Sequence, residues 1–124
     1  MRKSLVLTSA ALAVSFLAAP VMAQGMDDAV AAARNQLGLL EYCQAEGHID
    51  GTAVETQTKM MAMLPAATDT TKGDEAYAKG KAGMLSVGGV EQDLTQLESQ
   101  GGNVADVCKQ MADALATAAG QMGG

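Results

Sequence analysis

The chain has 124 residues, room for a single domain, and sets 8 Lys/Arg against 14 Asp/Glu for a net charge of −6. That balance argues against nucleic acid, or an anionic membrane surface, as a default partner. With 2 Tyr, 1 Phe and no Trp, any core must be assembled from Leu, Val, Met and Ala.

The first predicted element is a cleavable export signal over residues 1–23. Arg2 and Lys3 form a positive n-region, Leu5 to Ala19 is an uncharged apolar stretch, Pro20 breaks it, and Val21-Met22-Ala23 supplies a peptidase site. The alternative is an uncleaved anchor, but the apolar stretch of about 15 residues falls short of the ~20 that span a bilayer. Cleavage after Ala23 leaves Gln24 as the first mature residue, and no Cys follows it to carry a lipid anchor. The expected destination is the bacterial periplasm or the exterior. Removing 23 of the 124 residues leaves 101, with six basic and 14 acidic side chains, a net charge of −8 and no Phe. No later segment is long and apolar enough to span.

Residues 24–124 read as one helical domain. The first helix is predicted from about Asp27 to Ala45, with Met26, Val30, Ala33, Leu37 and Leu40 as its apolar stripe. Asp27 and Asp28 then lie near its N-terminus, favourable to the helix dipole, and Gly47 stops it. The second helix starts at Thr52, where Thr52 and Glu55 fit a capping box and Ile49 a staple. Its stripe is Val54, Thr58, Met61 and Leu64, and Pro65 ends it. Residues 65–73 read as a polar loop. A third helix is predicted over Asp74–Val87, where Gly80 and Gly83 weaken it but permit close helix approach. Gly88-Gly89 marks a break, and Val90–Ser99 reads as a short fourth helix. Gly101-Gly102 is a turn, Asn103 an N-cap, and Val104 to about Ala119 the last helix, with Val104, Val107, Cys108, Met111, Leu115 and Ala118 on one side. The Gly-rich end, 120–124, is expected to fray. No segment carries a strand signal in this reading. The expected fold is all-α, a small disulfide-pinned bundle of four to five short helices.

In an exported chain the two cysteines, Cys43 and Cys108, are expected to pair rather than remain buried thiols. The bridge closes a loop of about 65 residues, worth ~4 kcal/mol in the chain-entropy picture. It is easiest to form if the terminal helices pack antiparallel.

Candidate chemistry is sparse. His48, the only histidine, sits in a turn beside Glu46 and Asp50; it reads as an exposed turn residue, since a zinc site needs three or four ligands. Glu91 and Asp93, two apart on the predicted fourth helix, face different ways and make no dyad. No nucleophile motif or phosphate-binding loop is present, so no catalytic residues, enzymatic activity or cofactor are expected. Met60, Met61 and Met63 are the remaining cluster. Thioethers are soft donors suited to Cu(I), which gives a copper-binding reading; they are also adaptable core filler or a promiscuous apolar contact surface.

The run Asn35-Gln36-Leu37-Gly38-Leu39-Leu40-Glu41-Tyr42-Cys43-Gln44-Ala45-Glu46-Gly47, then Met60-Met61-Ala62-Met63-Leu64-Pro65 and the late Cys108, resembles small exported alphaproteobacterial proteins labelled as pore-forming members of the early-secreted-antigen (ESAT-like) family. The resemblance covers nearly all of residues 24–124 and implies a helical, membrane-active protein. The mycobacterial proteins of that name carry a Trp-x-Gly turn and no cleavable signal; this chain has no Trp and has a signal, so their secretion route and activity do not carry over. Two further functions fit. One is a periplasmic stress chaperone of the acid-stress type, whose Met-rich surface is exposed as its carboxylates neutralise. The other is the copper protein above. The partner is an unspecified protein or a second copy, with membrane contact possible but unsupported by any spanning segment after the signal.

Overall fold

Between Pro20 and Pro65 the sequence holds no proline, and its first stretch is rich in Ala, so nothing interrupts a long opening helix. In the computed structural model, which describes residues 19–87 and 89–123, that helix is α1, Ala19–Ala45. Most of the expected export signal lies outside the described residues, as does Gly88. α1 starts eight residues before the expected Asp27, because residues 19–26 contain no helix stop and Pro20 is tolerated in the first turn. It therefore runs through the expected cleavage point. Gly47 ends it as expected, in the left-handed region at φ 79°, with His48 N donating to Cys43 O at 2.9 Å.

The early start places Asp27 in the third turn, not at a helix end. Its carboxylate instead accepts from Thr68 N (2.8 Å), Thr68 Oγ1 and Asp69 N (3.2 Å), which clamps the loop after α2 onto α1. These bonds, led by the Thr68 hydroxyl, hold the Asp27 carboxyl below its ordinary 3.8.

α2 spans Thr52–Ala62, with Gly51 as N-cap. The capping box does not form: Gly51 makes no side-chain cap, and Asp50 accepts from Thr52 N at 2.9 Å. The buried face is Ala53 and Gln57 with Met60 partly covered, one residue out of phase with the expected stripe. Gln57 donates to Ala33 O at 2.9 Å and ties α2 to α1.

α3 spans Thr70–Lys81, four residues earlier than expected. Asp69 caps it by accepting from Thr71 N at 2.9 Å, a cap hidden within the expected loop. α1 and α3 cross at two glycines. A Cβ on Gly38 would lie 2.8 Å from Lys81 N, and one on Gly80 2.9 Å from Leu39 N. The close approach expected at Gly80 is thus present, with Gly38 as its partner.

The expected third helix ends early and the expected fourth is not a helix. Gly83, at φ 86°, turns the chain into a hairpin of β1 (Met84–Val87) and β2 (Val90–Asp93), paired antiparallel with Met84 opposite Asp93 and Val87 opposite Val90. Val-Gly-Gly-Val is a two-residue hairpin turn signal, and Gly89 takes the positive φ, 82°, that such a turn needs. Two 3₁₀ turns follow, Leu94–Gln96 and Glu98–Gln100. Asp93 caps the first by accepting from Thr95 N at 2.9 Å. The turn at 101–102 and the Asn103 cap are as expected, Asp106 N donating to Asn103 Oδ1 at 3.3 Å. α4 runs Val104–Gly123, so residues 120–123 of the segment expected to fray are helical.

The fold is a small helical bundle of four α-helices, among the described residues, with one two-stranded hairpin. α1 is its axis. Fully buried Asn35 faces α3 and the hairpin and buried Gly38 faces α3, while Leu40 and Cys43 face α2 and α4. Leu40, Ala53 and Leu115 form one small core; Cys43, Val104 and Cys108 form another, and Ile49 and Met111 pack against both. Cys43 and Cys108 are disulfide-bonded, with Cα atoms 5.7 Å apart, and neither is exposed.

Candidate functional site: a methionine-lined groove

The disulfide joins the last turn of α1 to the second turn of α4. Away from that bridge the two helices border an open groove of about 960 Å³, flanked by the end of α2 and by β1. α1 supplies a floor of small residues, Ala29, Ala32 and Ala33, with Leu39 at its base. Met60, Met61, Met63 and Leu64 come from the end of α2, Met111 and Met122 from α4, and Leu85 and Val87 from β1. Five of the chain's nine methionines therefore meet in one place.

The sequence explains the convergence. Met111, Leu115, Ala118 and Met122 follow helical spacing along α4, and Met60 and Met63 lie three apart at the end of α2. α2 stops at Ala62, so Met63 and Leu64 leave the helix and cannot join a helix–helix seam. The expected stripe on α2 included Met61 and Leu64; both line the groove, and Leu64 is exposed instead of buried.

Exposed apolar groups are concentrated here. Met63 (64%), Met122 (60%), Val87 (45%) and Leu64 (39%) all line the groove, leaving only Met26 and Val90 as large exposed hydrophobics elsewhere among the described residues. Single exposed apolar side chains are ordinary on any protein, whereas a contiguous set marks a contact surface. The lining polar residues are Gln36 and Gln57, and Gln57 is committed to Ala33 O. No charged side chain lines the groove among the described residues. Such a surface recognises shape and apolarity and has no group for acid–base chemistry.

The other sequence candidates lie apart from it. His48 is half-buried, not exposed, and borders a separate cleft of about 410 Å³ with Asp50, Lys109 and Asp113. Among the described residues no three His, Cys, Asp or Glu side chains stand together as metal ligands. Glu91 and Asp93 lie on a strand, so two residues apart puts them on one face, contrary to the helical expectation. Each is occupied: Glu91 pairs with Lys79, and Asp93 holds the Thr95 cap. Lys79 titrates above its ordinary value because the Glu91 carboxylate accepts its hydrogen bond.

The two tyrosines are also structural. Tyr77 donates to Glu41 and lies beneath Arg34 (5.3 Å) and Lys81 (5.6 Å), while Arg34 also pairs with Asp74. The bond to Glu41, followed by burial, raises the Tyr77 phenol above its usual value. Burial is the first cause of the same shift in Tyr42, with Glu46, Asp93 and Glu98 adding to it. A phenol raised above its usual value stays protonated at neutral pH, so neither side chain supplies a phenolate there.

The groove wall from β1 is absent from the sequence-based expectation, which places residues 84–87 in a helix. The Val87-Gly88-Gly89-Val90 turn signal is the feature that points to it. No family model matches the chain, and neither a curated protein nor a solved structure matches it.

Proposed function

We propose that this is an exported, non-enzymatic helical protein that holds apolar segments of partly unfolded polypeptides in the methionine-lined groove, a periplasmic chaperone of the holdase kind. The observation that carries the reading is the concentration of exposed apolar side chains, five thioethers among the lining, in a groove that no charged side chain lines among the described residues. Methionine is unbranched and polarisable, so a Met-lined surface adapts to side chains of different shape, which suits clients of varied sequence. At about 960 Å³ the groove lies at the upper end of the range that takes drug-sized ligands, enough for a few large apolar side chains of one segment. The net charge of −8 left once residues 1–23 are removed favours clients with basic flanks. Export is supported by the Arg2-Lys3 n-region, the apolar stretch to Ala19 and the site at Ala23, and a fully buried disulfide suits an oxidising compartment.

The test uses residues 24–124 with the disulfide intact. A basic client is diluted from denaturant while light scattering is followed, and a fluorescent, Leu-rich cationic peptide is titrated by anisotropy. The expected result is suppressed scattering and saturable peptide binding, both lost in a Met63→Glu/Met122→Glu variant that keeps its helical circular dichroism. Unchanged scattering at excess protein, or equal binding by the variant, would sink the reading.

The resemblance to the ESAT-like proteins supports a membrane-active alternative, and the same apolar groove gives it a surface. No helix among the described residues is long and apolar enough to cross a membrane, so this activity requires assembly on the bilayer. Dye release from phosphatidylglycerol-containing vesicles, without client protection, would favour it. Retention of Cu(I) against a chelator, lost with Met60, Met61 and Met63, would favour the copper reading instead.

A further inference from the structure

Among the described residues, the groove collects most of the oxidisable sulfur that the fold leaves accessible. The chain has two cysteines, both locked in the Cys43–Cys108 bridge with no exposed surface, and it has no Trp. Free thiols, the usual first target of a two-electron oxidant, are therefore absent among the described residues. What remains open is thioether: Met63 and Met122 are 64% and 60% exposed, against 38% for Met26, and Met60, Met61, Met84 and Met111 are half-buried. The two most exposed methionines among the described residues thus stand in the same groove.

We propose that this groove is an oxidation-sensitive modification site, in which a hypohalous acid converts the thioethers of Met63 and Met122 to sulfoxides before any other methionine among the described residues and expels the apolar occupant. The second half of this statement rests on the groove-binding reading above; the order of modification does not. In the reaction the thioether sulfur attacks the chlorine of HOCl, giving a chlorosulfonium ion and hydroxide. Water then adds its oxygen to sulfur as chloride and both of its protons leave, one of them neutralising the hydroxide. The sulfur loses two electrons, the chlorine gains them, and the products are a sulfoxide, chloride and H⁺.

The consequence follows from the lining. A sulfoxide is a strongly polar acceptor that needs a donor when it is covered. The groove's polar residues are Gln36 and Gln57, and the Gln57 amide already serves Ala33 O. Seating an apolar segment over two sulfoxides would leave acceptors without partners, a cost that corresponds to ~10-fold or more in affinity. Oxidation also converts flexible apolar surface into a wet one, so the change acts at the contact itself and requires no refolding.

The experiment adds HOCl in stoichiometric steps to the disulfide-intact protein, maps added oxygen by peptide mass spectrometry, and measures binding of the Leu-rich cationic peptide at each step. Met63 and Met122 should be modified first, with peptide affinity falling ~10-fold or more as they convert and the helical circular dichroism retained. A Met63→Leu/Met122→Leu variant, apolar and of similar volume, should bind the peptide before treatment and keep its affinity through the same first steps. Modification of Met26 or Met84 ahead of this pair would overturn the site assignment. Unchanged affinity of the wild type after both are converted would overturn the switch. If the untreated protein binds no peptide, the groove-binding reading fails, and the mapping still decides the site.

Discussion

The packing of α1 on α3 is decided by single residues with little tolerance. Gly38 and Gly80 let the two backbones approach until each occupies the space a neighbouring Cβ would need. Asn35, fully buried beside them, donates to Ala76 O (2.9 Å) and Met84 O (3.0 Å) and accepts from Ser86 N (3.0 Å), so one side chain binds α1 to α3 and to β1. These bonds give partners to partly buried main-chain groups of Met84 and Ser86. Gly80→Ala sets two effects against each other. Ala improves helix propensity by about 1 kcal/mol, but its methyl would meet Asn35 O and Leu39 N, main-chain atoms that cannot swing aside. Overpacking of this kind costs ~1–3 kcal/mol, so the net effect is destabilising. Gly120, helical in α4, has open space within 4 Å of where an added methyl would sit. Only the propensity effect remains there, and Gly120→Ala should stabilise by up to ~1 kcal/mol. Urea midpoints of the two variants should therefore move in opposite directions; a rise for Gly80→Ala would contradict the close crossing.

Among the elements, α4 is attached differently from the rest. α3 is held to α1 by the glycine crossing, Asn35, the Arg34–Asp74 pair and, through its cap, Asp27. α4 is held by the bridge and by Leu115 and Val104 in two small cores, and the groove separates its remaining length from α1. Breaking the Cys43–Cys108 bond, with a sequence separation of 65, removes ~4 kcal/mol of chain-entropy stabilisation. Its local effect should be uneven. In a Cys43→Ala/Cys108→Ala variant, α4 amides should lose hydrogen-exchange protection before those of α3, and the variant should bind the groove peptide less tightly; uniform loss across both helices would argue against this division. Legibility in the sequence follows the same line. α2 and α4 are readable to within a few residues because Thr52, Pro65 and Asn103 mark their ends and their apolar residues recur at helical spacing. The hairpin is not, since Met84-Leu85-Ser86-Val87 is too short to separate strand from helix by periodicity and its turn glycines read as a helix break. The methionine cluster is visible as Met60, Met61 and Met63, but the groove is not, because Met111, Met122, Leu85 and Val87 reach it only through the tertiary arrangement.

For the molecule as a whole, acidity is the variable that links charge, stability and the groove. The Asp27 and Asp50 carboxyls are both held below their ordinary 3.8, Asp27 by the Thr68 hydroxyl and amide and Asp50 by the Thr52 amide. A depressed folded-state value means that the stabilisation is fully present above about pH 4 and is lost as pH falls through the folded value. Lys79 and Tyr77 are shifted upward, so their contributions are present below 10.5 and 10.0 and fade only as pH rises beyond those values. Thermal stability should therefore be nearly level from about pH 5 to 9 and drop below about pH 4. The drop has a structural address. Protonated Asp27 can no longer accept from Thr68 and Asp69 together, which frees the loop from α2 to α3 on the α1 surface that leads into the groove. Below that pH the 14 carboxylates no longer offset the 8 Lys/Arg, and the net charge turns positive. An Asp27→Asn variant keeps an acceptor but not the charge, and should be less stable than wild type at about pH 7 while converging on it near pH ~3. Melting curves by far-ultraviolet circular dichroism at half-unit pH steps test this. A wild-type midpoint that holds to about pH 2.5, or a variant that stays offset from wild type at every pH, would show that the Asp27 clamp does not set the acid limit of the fold.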